Sequence, residues 1–202
     1  LGKDVGVYKS PHLVEVTERI KVNADQITQE KFTELYQEID QTNEELSFFE
    51  FLTTMAFLYF KEQDVDYAIM EVGMGGRLDA TNAVENNTAV ITNIDLDHTK
   101  YLGDSIQEIA SEKAGIIPEN GVLITSSEMK EINKIASERN TDKVEPEKVQ
   151  QTRSGYSFNE EVFSLPIEGE FQKSNLETAL ATVKSVEELP ENLGNSLSSL
   201  EC

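Results

Sequence analysis

Apolar residues recur along this chain in blocks whose spacing changes with the element they predict. After Thr28, the residues Phe32, Leu35, Tyr36 and Ile39 share one face at helical intervals, and the polar stretch Asp40–Leu46 then reads as a loop. Ser47 and Glu50 form an S-x-x-E capping box that opens an apolar helix through about Phe60. Elsewhere the pattern becomes short unbroken apolar runs bounded by polar residues. Gly6–Tyr8, Val65–Val72, Thr88–Ile94 and Gly121–Thr125 read as strands. A second box, Ser105 with Glu108, opens a helix to about Ala114 with Gly115 as its stop. Met129, Ile132 and Ile135 mark another helix, and Arg139–Gln151 is polar and charged. Tyr156–Phe158 and Val162–Ile167 predict a small β element. A third box, Ser174 with Glu177, caps a last helix carrying Leu176, Ala179, Leu180 and Val183. The tail LPENLGNSLSSLEC carries no periodic signal and reads as a linker stub.

Strands alternating with helices predict an α/β domain with a mainly parallel sheet flanked by helices. In such sheets ligands bind beyond the carboxyl ends of the strands. Ser10, Glu71 and His98 sit at or just after predicted strand ends, so the pattern groups them in one neighbourhood.

Composition narrows the partners. Lys and Arg number 17 against 38 Asp and Glu, a formal charge of 17 − 38 = −21. Phosphate contacts need clustered cations, so nucleic acid is a poor partner, and an anionic membrane would repel the chain. The one cysteine, Cys202, excludes a disulfide framework within one chain and fits a reducing cytosol. No window approaches a membrane span, and no signal peptide is visible. The chain starts with Leu and reads as beginning inside an element, so a natural start further upstream is expected.

The stretch EVGMGGRLDATN, Glu71–Asn82, has three readings. A dinucleotide loop is disfavoured, because G-M-G-G is not G-x-G-x-x-G and no amphipathic helix follows it directly. A sharp turn using positive φ is the plainest reading. The third fixes on Glu71: an acid ending a buried strand is placed like the one that holds Mg²⁺ in nucleotide-hydrolysing sheets. His98, in NIDLDH, could be a ligand or an ordinary loop residue, with Asp95 and Asp97 as loop acids. His12, in SPH, reads most simply as a packed or exposed loop residue. Lys113 suits the last turn of a helix on dipole grounds alone. Glu50 and Asn175 also have structural readings, as a capping-box acid and a helix N-terminus residue.

Taken together, SPHLVEVTERI, SFFEFLTTMAFLYF, EVGMGGRLDATN, IDLDHTKYLG and EKAGIIP, in this order and spacing, resemble the folylpolyglutamate synthase/dihydrofolate synthase family of the Mur ligase superfamily. The likeness runs from about Gly6 to Thr125 and resumes weakly in GEFQKSNLETAL. The resemblance implies an ATP-dependent amide ligase that adds L-glutamate to dihydropteroate or folate through an acyl phosphate, with ATP as co-substrate and two Mg²⁺ sites. It implies Ser10, Glu71 and His98 as metal ligands, with His98 also in the catalytic centre. Lys113 matches a lysine that is carboxylated to help hold the second metal. Ser47, Phe48, Phe49 and Glu50 match a pterin-contacting segment, Leu78, Asp79 and Ala80 a second substrate contact, and Asn175 an ATP contact. It further implies a cytoplasmic monomer, with residues 1–189 as the central ATP-binding domain and 190–202 as linker or unmatched tail.

The chain departs from the family pattern in places. The family's G-T-N-G-K-G-S/T-like phosphate loop is not among these residues, nor is its first strand, and the C-terminal domain is absent as well. Lys9 and Ser47 stand where Thr is usual, and Phe171 where His is common. The 202-residue chain is therefore expected to be inactive alone. Two other functions fit less well: a non-catalytic binding protein of the same fold, and a Mur ligase acting on a UDP-linked cell-wall precursor. SFFEFLT and GGRLDATN argue against the second.

Overall fold

The computed structural model describes residues 2–42, 44–96, 98–152, 155–165, 169 and 171–198. Asp97, Pro166, Ile167 and Cys202, named above, lie outside the described residues. The chain forms two compact units, Gly2–Glu85 and the part from Asn86 onward.

In the first unit β1 (Val5–Tyr8) pairs antiparallel with β2 (Ile20–Val22) and parallel with β4 (Tyr67–Met70). β3 (Asp25–Gln26) adds to β2, giving the order β3-β2-β1-β4. Thr28 caps α1 (Gln29–Asp40), its hydroxyl accepting from the Lys31 amide, and α2 (Phe48–Glu62) opens on the Ser47–Glu50 box as the sequence indicates. Both helices bury one face over the sheet. The core collects Tyr8 and Ile20 from the sheet, Leu35 and Ile39 from α1, and Leu52, Met55 and Phe60 from α2. Gly6 makes this packing possible, because a Cβ there would lie 2.6 Å from the Phe60 ring.

The second unit holds two small sheets. β5 (Thr88–Ile91), β6 (Val122–Thr125) and β7 (Asp142–Val144) are parallel and adjacent in that order. Around them run α3 (Thr99–Leu102), α4 (Ile106–Lys113) and α5 (Lys130–Glu138), with Ala89, Ile91, Ala114, Ile117, Leu123 and Ile132 in the core. β8 (Gln150–Thr152), β9 (Gly155–Phe158) and β10 (Glu161–Phe163) form the expected small β element, all antiparallel. It shares a core of Val149, Phe158, Phe163, Leu176, Leu180 and Leu193 with α6 (Gln172–Val186) and α7 (Leu193–Ser198).

Four expectations need correction. The run Arg139–Gln151 contains β7 and the start of β8, although it is polar. α6 begins at Gln172, so Ser174 lies inside its first turn instead of capping it. Glu177 is buried and accepts from the Val149 amide at 3.0 Å while pairing with Lys148. The tail residues Leu193–Ser198 are helical, and Leu193 is buried. Gly115 is the fourth: it sits within a buried 3-10 turn, Ala114–Ile116, without a left-handed φ. Arg139 donates to the carbonyls of Gly115 and Ile117.

Candidate active site

The parallel register Tyr8↔Met70 brings the carboxyl ends of β1 and β4 level. The ladder continues one step further, with the Glu71 amide donating to the Tyr8 carbonyl at 2.9 Å. Ser10 leaves β1 at the same edge, and its backbone amide donates to Oε2 of Glu71 at 2.7 Å. Ser10 and Glu71 are thus brought together as expected. Glu71 is exposed and offers a hard carboxylate beside a hydroxyl-bearing residue, a donor set that suits Mg²⁺.

The loop after Ser10 is organised by Glu18, a residue the sequence reading did not single out. Its carboxylate accepts from the amides of Leu13, Val14 and Glu15 at 2.8, 2.9 and 2.8 Å. Those backbone bonds lower the Glu18 pKa to about 2. Arg19, also missed, is buried and donates from Nε to Nδ1 of His12 at 3.0 Å. His12 is therefore a packed loop residue with a defined partner. No periodic pattern marks Glu18 or Arg19, because their partners are residues 12–15, in the irregular turn just before them.

The glycine-rich stretch is a turn with positive φ at Gly75 (+71°) and Gly76 (+155°). Asp79 holds it closed: its carboxylate accepts from the Met74 amide at 2.9 Å and from the amide and hydroxyl of Thr81 at 3.0 and 2.6 Å. Three of its roughly four acceptor positions are thus used inside the loop. Leu78 is 80% exposed, and Ala80 starts the 3-10 turn Ala80–Ala83. Phe49 packs so closely on Gly73 that a Cβ there would lie 2.5 Å from its ring. The start of α2 and the loop carrying Leu78–Ala80 are therefore neighbours. Ser47 and Glu50 exchange both capping-box bonds, 2.8 Å from the Ser47 amide and 3.3 Å from the Glu50 amide. Those bonds hold the Glu50 carboxyl below its usual pKa, the Ser47 side chain contributing most.

His98, Lys113 and Asn175 belong to the second unit. His98 lies seven residues beyond the end of β5, farther than the longer predicted strand implies. It takes a left-handed conformation, φ 50°, and its carbonyl accepts from the Tyr101 and Leu102 amides at the start of α3. Lys113 is half-buried at the last position of α4. A helix C-terminus favours a cation there, so a carboxylated lysine would need a metal to offset its charge. Asn175 is exposed in the first turn of α6, its amide donating to the Phe171 carbonyl at 3.0 Å. Among the described residues, no group of three or more His, Cys, Asp or Glu side chains is gathered closely enough to hold a metal by itself.

Comparison with known proteins decides the family: the family model of the Mur ligase middle domain matches residues 15–183. The chain belongs to the Mur ligase family. Among curated relatives of this Mur ligase chain, the dihydrofolate synthase/folylpolyglutamate synthase of Haemophilus influenzae is 49% identical over 120 residues, covering 59% of this chain and 28% of that protein. The Escherichia coli protein of the same name is 44% identical over 131 residues, covering 63% and 31%. Solved structures agree. Escherichia coli FolC in complex with ADP superposes with a TM-score of 0.88 at 34% identity, covering 98% of this chain and 51% of that one. FolC in complex with DHPP and ADP gives 0.85 at 34% identity, covering 98% and 50%. The bifunctional Yersinia pestis enzyme complexed with AMPPNP and Mn ion gives 0.86 at 30% identity, covering 100% and 52%. The chain thus spans about half the length of these solved proteins and under a third of these two curated relatives.

Proposed function

We propose that this Mur ligase chain supplies the metal-binding and pterin-binding part of an ATP-dependent ligase that joins L-glutamate to dihydropteroate or folate. The observation that carries the reading is the closeness, within one unit, of two stretches: Phe49 at the head of α2 lies against Gly73, at the start of the loop that ends in Leu78–Ala80. Ser10 and Glu71 stand at the strand edge of the same unit, on either side of a 2.7 Å hydrogen bond.

In this reading Phe48 and Phe49 receive the flat heteroaromatic ring, helped by Ser47 and Glu50, and the Leu78–Ala80 loop bounds it. ATP phosphorylates the substrate carboxylate. The glutamate amine then attacks the acyl phosphate and expels inorganic phosphate. Ser10, Glu71, His98 and a carboxylated Lys113 would hold two Mg²⁺ ions, whose charge offsets that on the transferring phosphoryl group. Asn175 contacts ATP. The domain runs over residues 1–189, and the enzyme works as a cytoplasmic monomer. A divalent cation and a nucleotide are supported by the Mn ion and AMPPNP bound to the Yersinia pestis relative. Among the described residues no helix is long and apolar enough to cross a membrane.

Calorimetric titration of the chain with pteroate and with a UDP-sugar tests this. Pteroate should bind and the UDP-sugar should not. Binding of the UDP-sugar alone would reject the folate reading for a cell-wall one. ATP-dependent glutamate addition by the 202-residue chain alone should be negligible, because it contains no G-K-[ST] phosphate loop.

A further inference from the structure

Arg19 closes the 3-10 turn Val16–Arg19 and is only 8% exposed. Its side chain meets an imidazole and aromatic rings. Nε donates to His12, which fixes Nδ1 of that imidazole as an acceptor. The guanidinium carbon lies 5.6 Å from the centroid of the Phe48 ring, within the range of cation–π attraction. The Tyr8 phenol is pushed up in pKa by burial, and its hydrogen bond to Thr53 and the Arg19 charge draw it partly back. Among the described residues Arg19 forms no ion pair. Burying a cation without a carboxylate is costly, so a purely structural site would more often carry an apolar residue here.

The backbone is pinned as well. The Arg19 carbonyl accepts from the Lys9 amide at 2.9 Å, beside the strand exit that carries Ser10. Phe48 is the opposite case. It begins α2 and is 64% exposed, so little apolar packing restrains its ring.

We infer that Arg19 is a positioning residue: its guanidinium, steered by His12, holds the Phe48 ring as a platform for the flat heteroaromatic end of the substrate. This rests on the reading of Phe48 as a pterin contact. Lysine could not replace it fully, since an ammonium lacks the planar fork that bonds His12 and covers a ring at once.

Two readouts test it on the 202-residue chain. Calorimetry gives the affinity for pteroate. Fluorine NMR of chain labelled with 4-fluorophenylalanine reads the Phe48 ring, its signal assigned by its loss in Phe48→Leu. Arg19→Met should weaken pteroate about tenfold, Arg19→Lys less, and Phe48→Leu comparably to Arg19→Met. The double variant Arg19→Met with Phe48→Leu should be no weaker than Phe48→Leu alone. The Phe48 fluorine signal should shift in both Arg19 variants. Unchanged affinity in folded Arg19→Met, or additive losses, would overturn the inference while leaving the pterin reading intact. Should Arg19→Met fail to fold, Arg19→Lys decides by the same two readouts. If the parent chain does not bind pteroate, the pterin reading falls and the inference falls with it as stated. The fluorine signal then reports only whether Arg19 orders the ring.

Discussion

Replacing Glu71 by glutamine keeps an acceptor for the Ser10 amide while removing the negative charge. The fold should therefore survive, and Mn²⁺ affinity, read by electron paramagnetic resonance titration, should fall at least about tenfold. An unchanged titration would remove Glu71 from the proposed metal site. Glu18 makes a different prediction, in pH. Its folded-state pKa of about 2 lies below its ordinary 4.5. The stabilisation it gives the loop is complete above pH 4.5 and is lost as pH falls toward 2. Amide exchange at Leu13, Val14 and Glu15 should accelerate through that window, and Glu18→Gln should flatten the dependence. Both residues were only half legible in sequence. Glu71 announces itself by ending an apolar strand before glycines. Glu18 binds amides that precede it, and nothing in VEVTERI signals that the chain doubles back.

At the scale of elements, caps carried most of the readable information. The Ser47–Glu50 and Ser105–Glu108 boxes start α2 and α4 where they fall in the sequence. Ser47→Ala should cost about 1 kcal/mol in urea unfolding, with no change in the α2 boundary. The Ser174–Glu177 pair has the same spacing but fails, because a motif of four residues says nothing about tertiary demand. Glu177 is claimed by the Val149 amide and by Lys148, and α6 reaches two residues further back. Glu177→Leu would leave that buried amide without its acceptor and should cost about 2 kcal/mol, measured by the same method. β7 escaped notice because among the described residues it pairs with β6 alone and so forms an edge, where polar and charged residues are usual. α7 escaped because six residues are too few to show a period; its place is set by packing Leu193 among Phe163 and Leu176.

For the molecule as a whole, a charge of −21 means that its surface repels itself. Raising NaCl from about 10 to about 150 mM should raise Tm, because the Debye length shrinks from about 30 to about 8 Å. A Tm that falls with salt would mean that ion pairs such as Lys31–Glu62 outweigh the repulsion. The family and the α/β architecture were legible from ordered motifs such as SFFEF and GMGGRLDATN. The division into two units was not: each core draws on one continuous stretch, but the boundary at Glu85–Asn86 falls in a polar loop as short as those within each unit.

The three amides of Leu13, Val14 and Glu15 form an anion receptor whose guest is part of the same chain. Glu18 is tethered within five residues, so its local concentration at those amides is on the order of millimolar or higher. A free phosphate or nucleotide must displace it to enter. This loop is thus closed to competing anions, and added phosphate or ATP should leave the amide signals of residues 13–15 unmoved.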